Sequence, residues 1–246
     1  MLVGTYRGAP FANCEFLVGR LCELVNKQIK DVRQPGRLDE TLPESIILAI
    51  ATHVWLEWTH PYGDGNGRTG RLLEHFVLLE SGVPDLVCHL LSNFYNKTKE
   101  RYIEMLQAAT KKGLHTFLSY AIEGFRDELE GLMLSITDYQ VDMTWNAFVS
   151  AQFAGLSRTS DLRRKALAEE MPLAPTSFAN LLLQVSKLYL GLNVAKALPR
   201  DLQHLVEQGL VAKDESGSFR ANIDRVLQFL PNVKCRGGSE DLHQKA

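Results

Sequence analysis

Apolar residues recur at helical spacing through most of the first half of the chain. Phe16, Leu17, Leu21, Leu24 and Val25 form one stripe over 15–30, which stops before the turn signal Gln34-Pro35-Gly36. Pro43 marks the first turn of a second helix, where its missing N–H does no harm. In that helix Ile46, Ile47, Ile50, Val54, Trp55 and Trp58 leave almost no polar face. A helix apolar on most sides belongs at the centre of a bundle, so both tryptophans are expected in the core. The pattern stops at His60-Pro61, because the residue before a proline is pushed out of helical geometry. A third helix opens within a glycine-rich loop and runs through Leu72, Leu73, Phe76, Val77, Leu78 and Leu79 to Ser81-Gly82. Further helices are predicted over 96–110, 114–134 and 139–153, and only the first ten or so residues look extended. This part reads as an all-α bundle with one short strand at its start.

After Ala154-Gly155 the segments shorten and are punctuated by Pro172, Pro175, Gly191, Pro199 and Gly209. Leu198-Pro199-Arg200-Asp201 opens a helix with Leu202, Leu205 and Val206 on one face. The run Leu210-Val211-Ala212, the turn Asp214-Glu215-Ser216-Gly217 and the run Ser218-Phe219-Arg220-Ala221 follow. Helix, strand, turn and strand in that order is what a winged helix-turn-helix requires. Two domains are therefore expected, 1–154 and 155–246.

Composition narrows the class. The 246 residues, 45% hydrophobic and 23% charged, exclude a disordered chain. No run approaches the roughly 18 apolar residues of a membrane span, and MLVGTYRGAP has neither the basic cluster nor the apolar stretch of a secretory signal. Cys14, Cys22, Cys88 and Cys235 are scattered, without metal-ligand spacing or a disulfide framework, which fits a reducing, cytoplasmic setting. Residues 155–246 carry 13 Lys/Arg against 10 Asp/Glu within a chain of net charge −2. So mild a bias permits DNA contact by the second domain without arguing for it.

One stretch carries chemistry: His60-Pro61-Tyr62-Gly63-Asp64-Gly65-Asn66-Gly67-Arg68-Thr69-Gly70-Arg71. Its glycines let backbone come close to a ligand and aim several N–H groups one way. The helix N-terminus behind them adds partial positive charge, so the place suits an anion, phosphate above all. Arg68 and Arg71, three apart on the opening turn, suit a chain of phosphates. Asp64 makes sense beside them once a divalent cation is supplied, because magnesium takes one or two carboxylates plus phosphate oxygens. His60, of a residue type that titrates near neutrality, is placed to take a proton from an incoming hydroxyl. Together these describe phosphoryl or nucleotidyl transfer.

The stretch resembles the signature of the Fic family, HxFx(D/E)GNGRxxR, with Tyr62 in place of the usual phenylalanine on a ring expected to be buried. The resemblance covers about residues 3–135, and the remainder, to Pro231, is similar to the winged-helix extension of some longer members. It implies a mainly α fold: a Fic-type helical bundle with a short N-terminal flap hairpin, followed by a small winged helix-turn-helix module. It implies transfer of AMP from ATP to a Ser, Thr or Tyr hydroxyl of a target protein. His60 would be the base and Asp64 the magnesium ligand. Gly63, Gly65, Asn66 and Gly67 would bind phosphate through the loop, with Arg68 and Arg71 on the outer phosphates. Family members with a lysine in the loop transfer phosphate instead; Asp64-Gly65 favours AMP. Thr5, Tyr6 and Arg7 resemble part of the flap that clamps a target by strand pairing.

Other readings weigh less. Gly65 to Gly70 also satisfies GxGxxG, but a helix rather than a strand precedes it. His53, His60 and His75 fit no compact zinc pattern, and Cys88 reads as a small buried hydrophobe. Ser119-Tyr120-Ala121-Ile122-Glu123-Gly124 matches the family's short inhibitory motif, (S/T)xxxE(G/N), yet such a motif recurs by chance and ordinary helix surface is the expectation. The commoner inhibitory helix lies upstream of the flap, and the chain is expected to begin too late to hold it. The predicted helix 198–208 offers Arg200, Gln203 and His204 to DNA, but Asp201 and Glu207 disfavour phosphate, so a protein contact or homodimer is preferred. The alternatives to AMP transfer are a nucleotide-sensing DNA-binding regulator, or a Fic enzyme that moves phosphate or another nucleotide or removes AMP. No membrane partner is expected.

Overall fold

A computed structural model describes residues 2–3, 6–33 and 38–230. Thr5, the turn at 34–36 and Cys235 lie outside the described residues. The chain divides into two compact units, Met1–Met133 and Leu134–Ala246.

In the first unit β1 (Leu2–Val3) pairs antiparallel with β2 (Tyr6–Arg7), matching Leu2 to Arg7 and Val3 to Tyr6. The helices α1 (Phe11–Val32), α2 (Leu38–Thr59) and α3 (Asn66–Glu80) follow. Helix α1 buries Cys14, Leu21, Val25, Ile29 and Val32 along one stripe. Helix α2 buries residues on most of its circumference, among them Leu48, Ala49, Ile50, His53, Val54 and Leu56, and lies between α1 and α3, as its apolar sequence demands. It begins five residues before Pro43 rather than at it. Leu38 and Leu42 pack on the core, and that packing draws the segment before the proline into the helix. Trp55 corrects the expectation of a core ring: it is 37% exposed, while Trp58 packs against the core.

Helices α4 (Asp85–Cys88), α5 (Leu90–Lys97) and α6 (Lys99–Lys112) complete the wall around the aromatic core of Tyr95, Tyr102 and Phe117. Helix α7 (His115–Gln152) is continuous where two helices, 114–134 and 139–153, are predicted. The segment Ser135-Ile136-Thr137-Asp138 is a weak helix former but holds neither proline nor glycine, so nothing forces a break. Gly124 is where α7 meets α5 closely: a Cβ there would run into the Phe94 ring. Cys88 is buried, as read, with burial raising its thiol to about 11.

The second unit holds the end of α7, then α8 (Thr159–Glu169), α9 (Phe178–Val185) capped by the Ser177 hydroxyl, α10 (Val194–Glu207), the hairpin β3 (Val211–Lys213) and β4 (Phe219–Ala221), and α11 (Asp224–Leu227). Thr176 bridges Phe219 antiparallel, adding one residue pair to the outer edge of β4. The turn is closed by Asp214, whose carboxylate accepts from the Ser218 amide at 2.8 Å, and by Gly217 at φ 83°. Trp145 donates from Nε1 to the Ala168 carbonyl and anchors a core that includes Leu167, Leu181, Leu198, Leu202 and Leu205. Helix α10 starts four residues earlier than predicted and carries Pro199 inside it.

Asp201 departs from the expectation of a surface residue, being 1% exposed. Arg163 and Arg164 donate to it at 2.8 and 2.9 Å, and Tyr189 at 3.1 Å. Burial alone would raise its pKa, but those donors outweigh burial and hold it below the usual carboxylate range. Asp201→Ala would leave Arg163 without its carboxylate and Arg164 with only the longer pair to Asp161 at 3.6 Å. The expected cost is about 3 kcal/mol, read as faster hydrogen exchange of the Leu205 and Val211 amides; unchanged exchange would refute it.

Candidate functional site

The site begins where α2 ends. Pro61 bars His60 from helical geometry, and His60 takes φ 50°, the one positive value on a residue other than glycine among the described residues. Its neighbours hold it there. The Ala9 amide donates to the Thr59 carbonyl at 3.2 Å. A Cβ on Gly8 would stand only 2.8 Å from the His60 Cβ, so only glycine lets the segment after β2 lie on the end of α2. Strained backbone at a residue fixed on several sides is characteristic of functional positions.

From Pro61 the chain crosses a short loop into α3. Asn66, 3% exposed, closes that loop with its own side chain: Oδ1 accepts from the Tyr62 amide at 3.0 Å and Nδ2 donates to the Tyr62 carbonyl at 2.8 Å. Gly65 stands at the helix entrance at φ 91°, and its carbonyl accepts from both the amide and the hydroxyl of Thr69. The opening amides of α3 have no partner within the helix and, with the helix dipole, make a positive end. Gly63 lies exposed with open space about it. Tyr62 corrects the expectation of a buried ring, being 47% exposed; its backbone, not its ring, is what Asn66 holds.

The two arginines part company. Arg68 turns outward and pairs with the exposed carboxylate of Asp64 at 2.9 Å. Arg71 turns inward and lines a cavity of about 180 Å³ together with Glu57, His60 and Gly67 at its polar end. Trp58, Ile103 and Leu106 form the apolar wall, and Tyr102, Gln107 and Thr110 complete it. Thus α6 supplies one side of the cavity, which nothing in its amphipathic sequence announces. Glu57 had a signal: an acid between two tryptophans in an otherwise apolar turn.

Behind the cavity lies a buried polar cluster. His53 Nε2 is 2.9 Å from the Tyr102 hydroxyl, and its Nδ1 is 3.8 Å from Glu74 Oε2. Tyr95 donates to Glu74 Oε1 at 3.0 Å. Burial, then the Arg71 charge, lowers His53 to about 3 and keeps it neutral. Burial holds Glu74 well above the carboxylate range, so it is a protonated acid. Burial also raises Glu57 to about 7, against the pull of Arg71. His75 faces Asp85 at 3.4 Å, far from a zinc role with His53, and no cluster of three metal-ligating residues occurs among the described residues. Glu123 is exposed on α7 beside Arg126. Tyr6 and Arg7 lie in β2.

Gly67 at the start of α3, the left-handed His60 and the inward Arg71 stand in one cavity wall. Residues 4–78 match the Fic/DOC family. That span takes in α1, α2, the loop and nearly all of α3, so the Fic match and the cavity's polar end coincide. Curated relatives agree. The chain is 32% identical over 99 residues to protein adenylyltransferase fic-1 of Caenorhabditis elegans, covering 40% of this chain and 18% of that one. It is 27% identical over 101 residues to protein adenylyltransferase Fic of Nematostella vectensis, covering 41% and 22%. It is 38% identical over 61 residues to a probable protein adenylyltransferase of Aquifex aeolicus, covering 25% and 17%. The chain thus spans about a fifth of the length of these relatives.

The Asn66 clamp makes a direct prediction. Asn66→Ala removes two buried bonds that shape the loop and should cost about 2 kcal/mol. The Tyr62 amide should exchange faster in the variant, while the amides of α2 keep their protection; equal loosening of both would contradict a local role.

Proposed function

We propose that this chain is a Fic-type protein adenylyltransferase that moves AMP from ATP to a Ser, Thr or Tyr hydroxyl of another protein. The observation that carries the reading is the convergence of His60, Gly67 and Arg71 on one cavity at the positive end of α3. The relatives named as adenylyltransferases support it.

In this mechanism Asn66 keeps the loop folded so that the backbone of Gly65 and Gly67 faces the phosphates, and the positive end of α3 stabilises charge as it moves onto them. Arg71 holds the chain inside the cavity, and Arg68 meets its outer end from the rim. His60 takes the proton of the target hydroxyl. The hydroxyl oxygen bonds to the α-phosphorus, the bond from that phosphorus to the pyrophosphate oxygen breaks, and pyrophosphate leaves with the electron pair. Asp64 fits a magnesium site, since it is an exposed hard carboxylate on the loop that faces the phosphates, now occupied by Arg68 alone among the described residues. Magnesium there would offset phosphate charge. The pair β1–β2 would dock the target's main chain along a strand edge, with Thr5, Tyr6 and Arg7 at the contact.

For the second unit we read a winged helix module. Support comes from the order α8, Thr176 edge, α9, α10 and hairpin. Its hairpin tip carries Asp214 and Glu215, and Gln203 on α10 is tied to Glu207 at 2.9 Å. Acid at the tip disfavours phosphate, so the module is assigned a protein contact, with a second copy of the chain as one candidate.

The test is incubation with magnesium and ATP labelled at the α-phosphate, followed by a denaturing gel. Wild type should label itself or lysate proteins, His60→Ala should label them at least about a hundredfold less, and Asp64→Ala should lose the dependence on magnesium. Transfer of γ-label instead would establish phosphorylation. Binding of ATP without transfer of either label would favour the nucleotide-sensing regulator.

A further inference from the structure

Glu57 is absent from the mechanism above, yet its surroundings are unusual. Its Oε1 is fully buried and has no hydrogen-bond partner. An orphaned carboxyl oxygen in a protein interior is costly and calls for a physical reason. Gly67 and Gly70 make room for it: a Cβ on Gly70 would stand 3.2 Å from that oxygen. A Cβ on Gly67 would stand 3.5 Å from the same oxygen and 3.4 Å from Arg71 Nη1, in ordinary contact with both. Glycine at 67 therefore leaves acid and guanidinium facing each other across an open gap.

The charged and titratable groups around Glu57 among the described residues are Arg71 and Glu74 of α3, His53 of α2, His60 just after it, and Tyr102 of α6. Burial keeps His53 uncharged, Glu74 protonated and the Tyr102 phenol far above its ordinary range. Arg71 is left as the charge that Glu57 feels most, and Glu57 as a partner that competes with any anion for Arg71.

We propose that Glu57 is the positioning residue for Arg71: as a carboxylate it draws the guanidinium across Gly67 and away from an arriving phosphate chain, and as a carboxylic acid it releases it. This inference rests on reading the cavity as a nucleotide site. Because Glu57 is raised to about 7, the hold changes across neutral pH. The sign follows from linkage. A phosphate chain bound at Arg71 favours protonated Glu57, so binding takes up a proton and weakens as pH rises through 7.

The probe is magnesium ATP, titrated calorimetrically into wild type, Glu57→Gln and Glu57→Asp between about pH 6 and pH 8. Glutamine keeps the shape of the protonated acid. Near pH 6 wild type and Glu57→Gln should bind alike; near pH 8 the variant should bind about threefold tighter or more, having lost the pH dependence that Glu57→Asp retains. A second measurement needs no variant: the binding heat of wild type in buffers of different ionisation enthalpy should report proton uptake near neutral pH. Equal affinities and equal pH profiles in wild type and Glu57→Gln, or no proton uptake by wild type, overturn the role of Glu57 while leaving the nucleotide site standing. No binding by any of the three proteins at any pH overturns the nucleotide site and this inference with it.

Discussion

The close approach of α2 and α3 is the constraint on which the first unit depends. It is tightest at Gly70, where a Cβ would press on Glu57 and His53, while a Cβ at Gly67 would reach ordinary contact with Glu57 and Arg71. A helix entrance normally gains from side chains that cap and pack. Here packing is given up at two positions so that a cation, two acids and a histidine can share one seam. Burial then sorts their proton affinities: it lowers that of His53, raises that of Glu74 and brings Glu57 near the boundary, while Arg71 lines the open cavity beside them. The positive end of α3 and the inward arginine therefore face the cavity with little opposing charge, which is what an anion site needs.

A second constraint orients the histidine. Pro61 ends α2, but ending a helix does not choose a direction for the residue before the proline. The choice is made from the other side of the chain, by the Ala9 amide on the Thr59 carbonyl and by Gly8 against His60. The segment that follows the hairpin thus shapes the residue proposed as base. A strand pair docking a target would be joined directly to the segment that lies against the proposed base.

The legibility of the chain followed the range of the forces involved. The buried α2, the stop at His60-Pro61, the entrance at Gly65 and the hairpin 211–221 rest on local rules of periodicity, proline and glycine, and each could be read along the sequence. What failed was decided by partners distant in sequence. Asp201 looked like a surface acid because its arginines lie almost forty residues away. Tyr62 failed differently: its resemblance to the family's phenylalanine pointed to a buried ring, and the ring is 47% exposed. The predicted break within α7 failed for the opposite reason: weak propensity alone does not end a helix that packs on both sides of the weak stretch.

Arg68 and Arg71 show why motif and mechanism are different statements. Spacing alone puts them on one face of a turn with one shared task. The structure instead gives Arg68 an exposed partner in Asp64, while Arg71 lies against buried groups whose charges burial has removed. An exposed pair rearranges at little cost, so Arg68 and Asp64 can separate to meet the proposed phosphate and metal. An arginine facing a half-buried acid cannot move without changing that acid's proton affinity. At the proposed nucleotide site one arginine would thus be free to follow the ligand, and the other would tie ligand binding to the state of the core behind it.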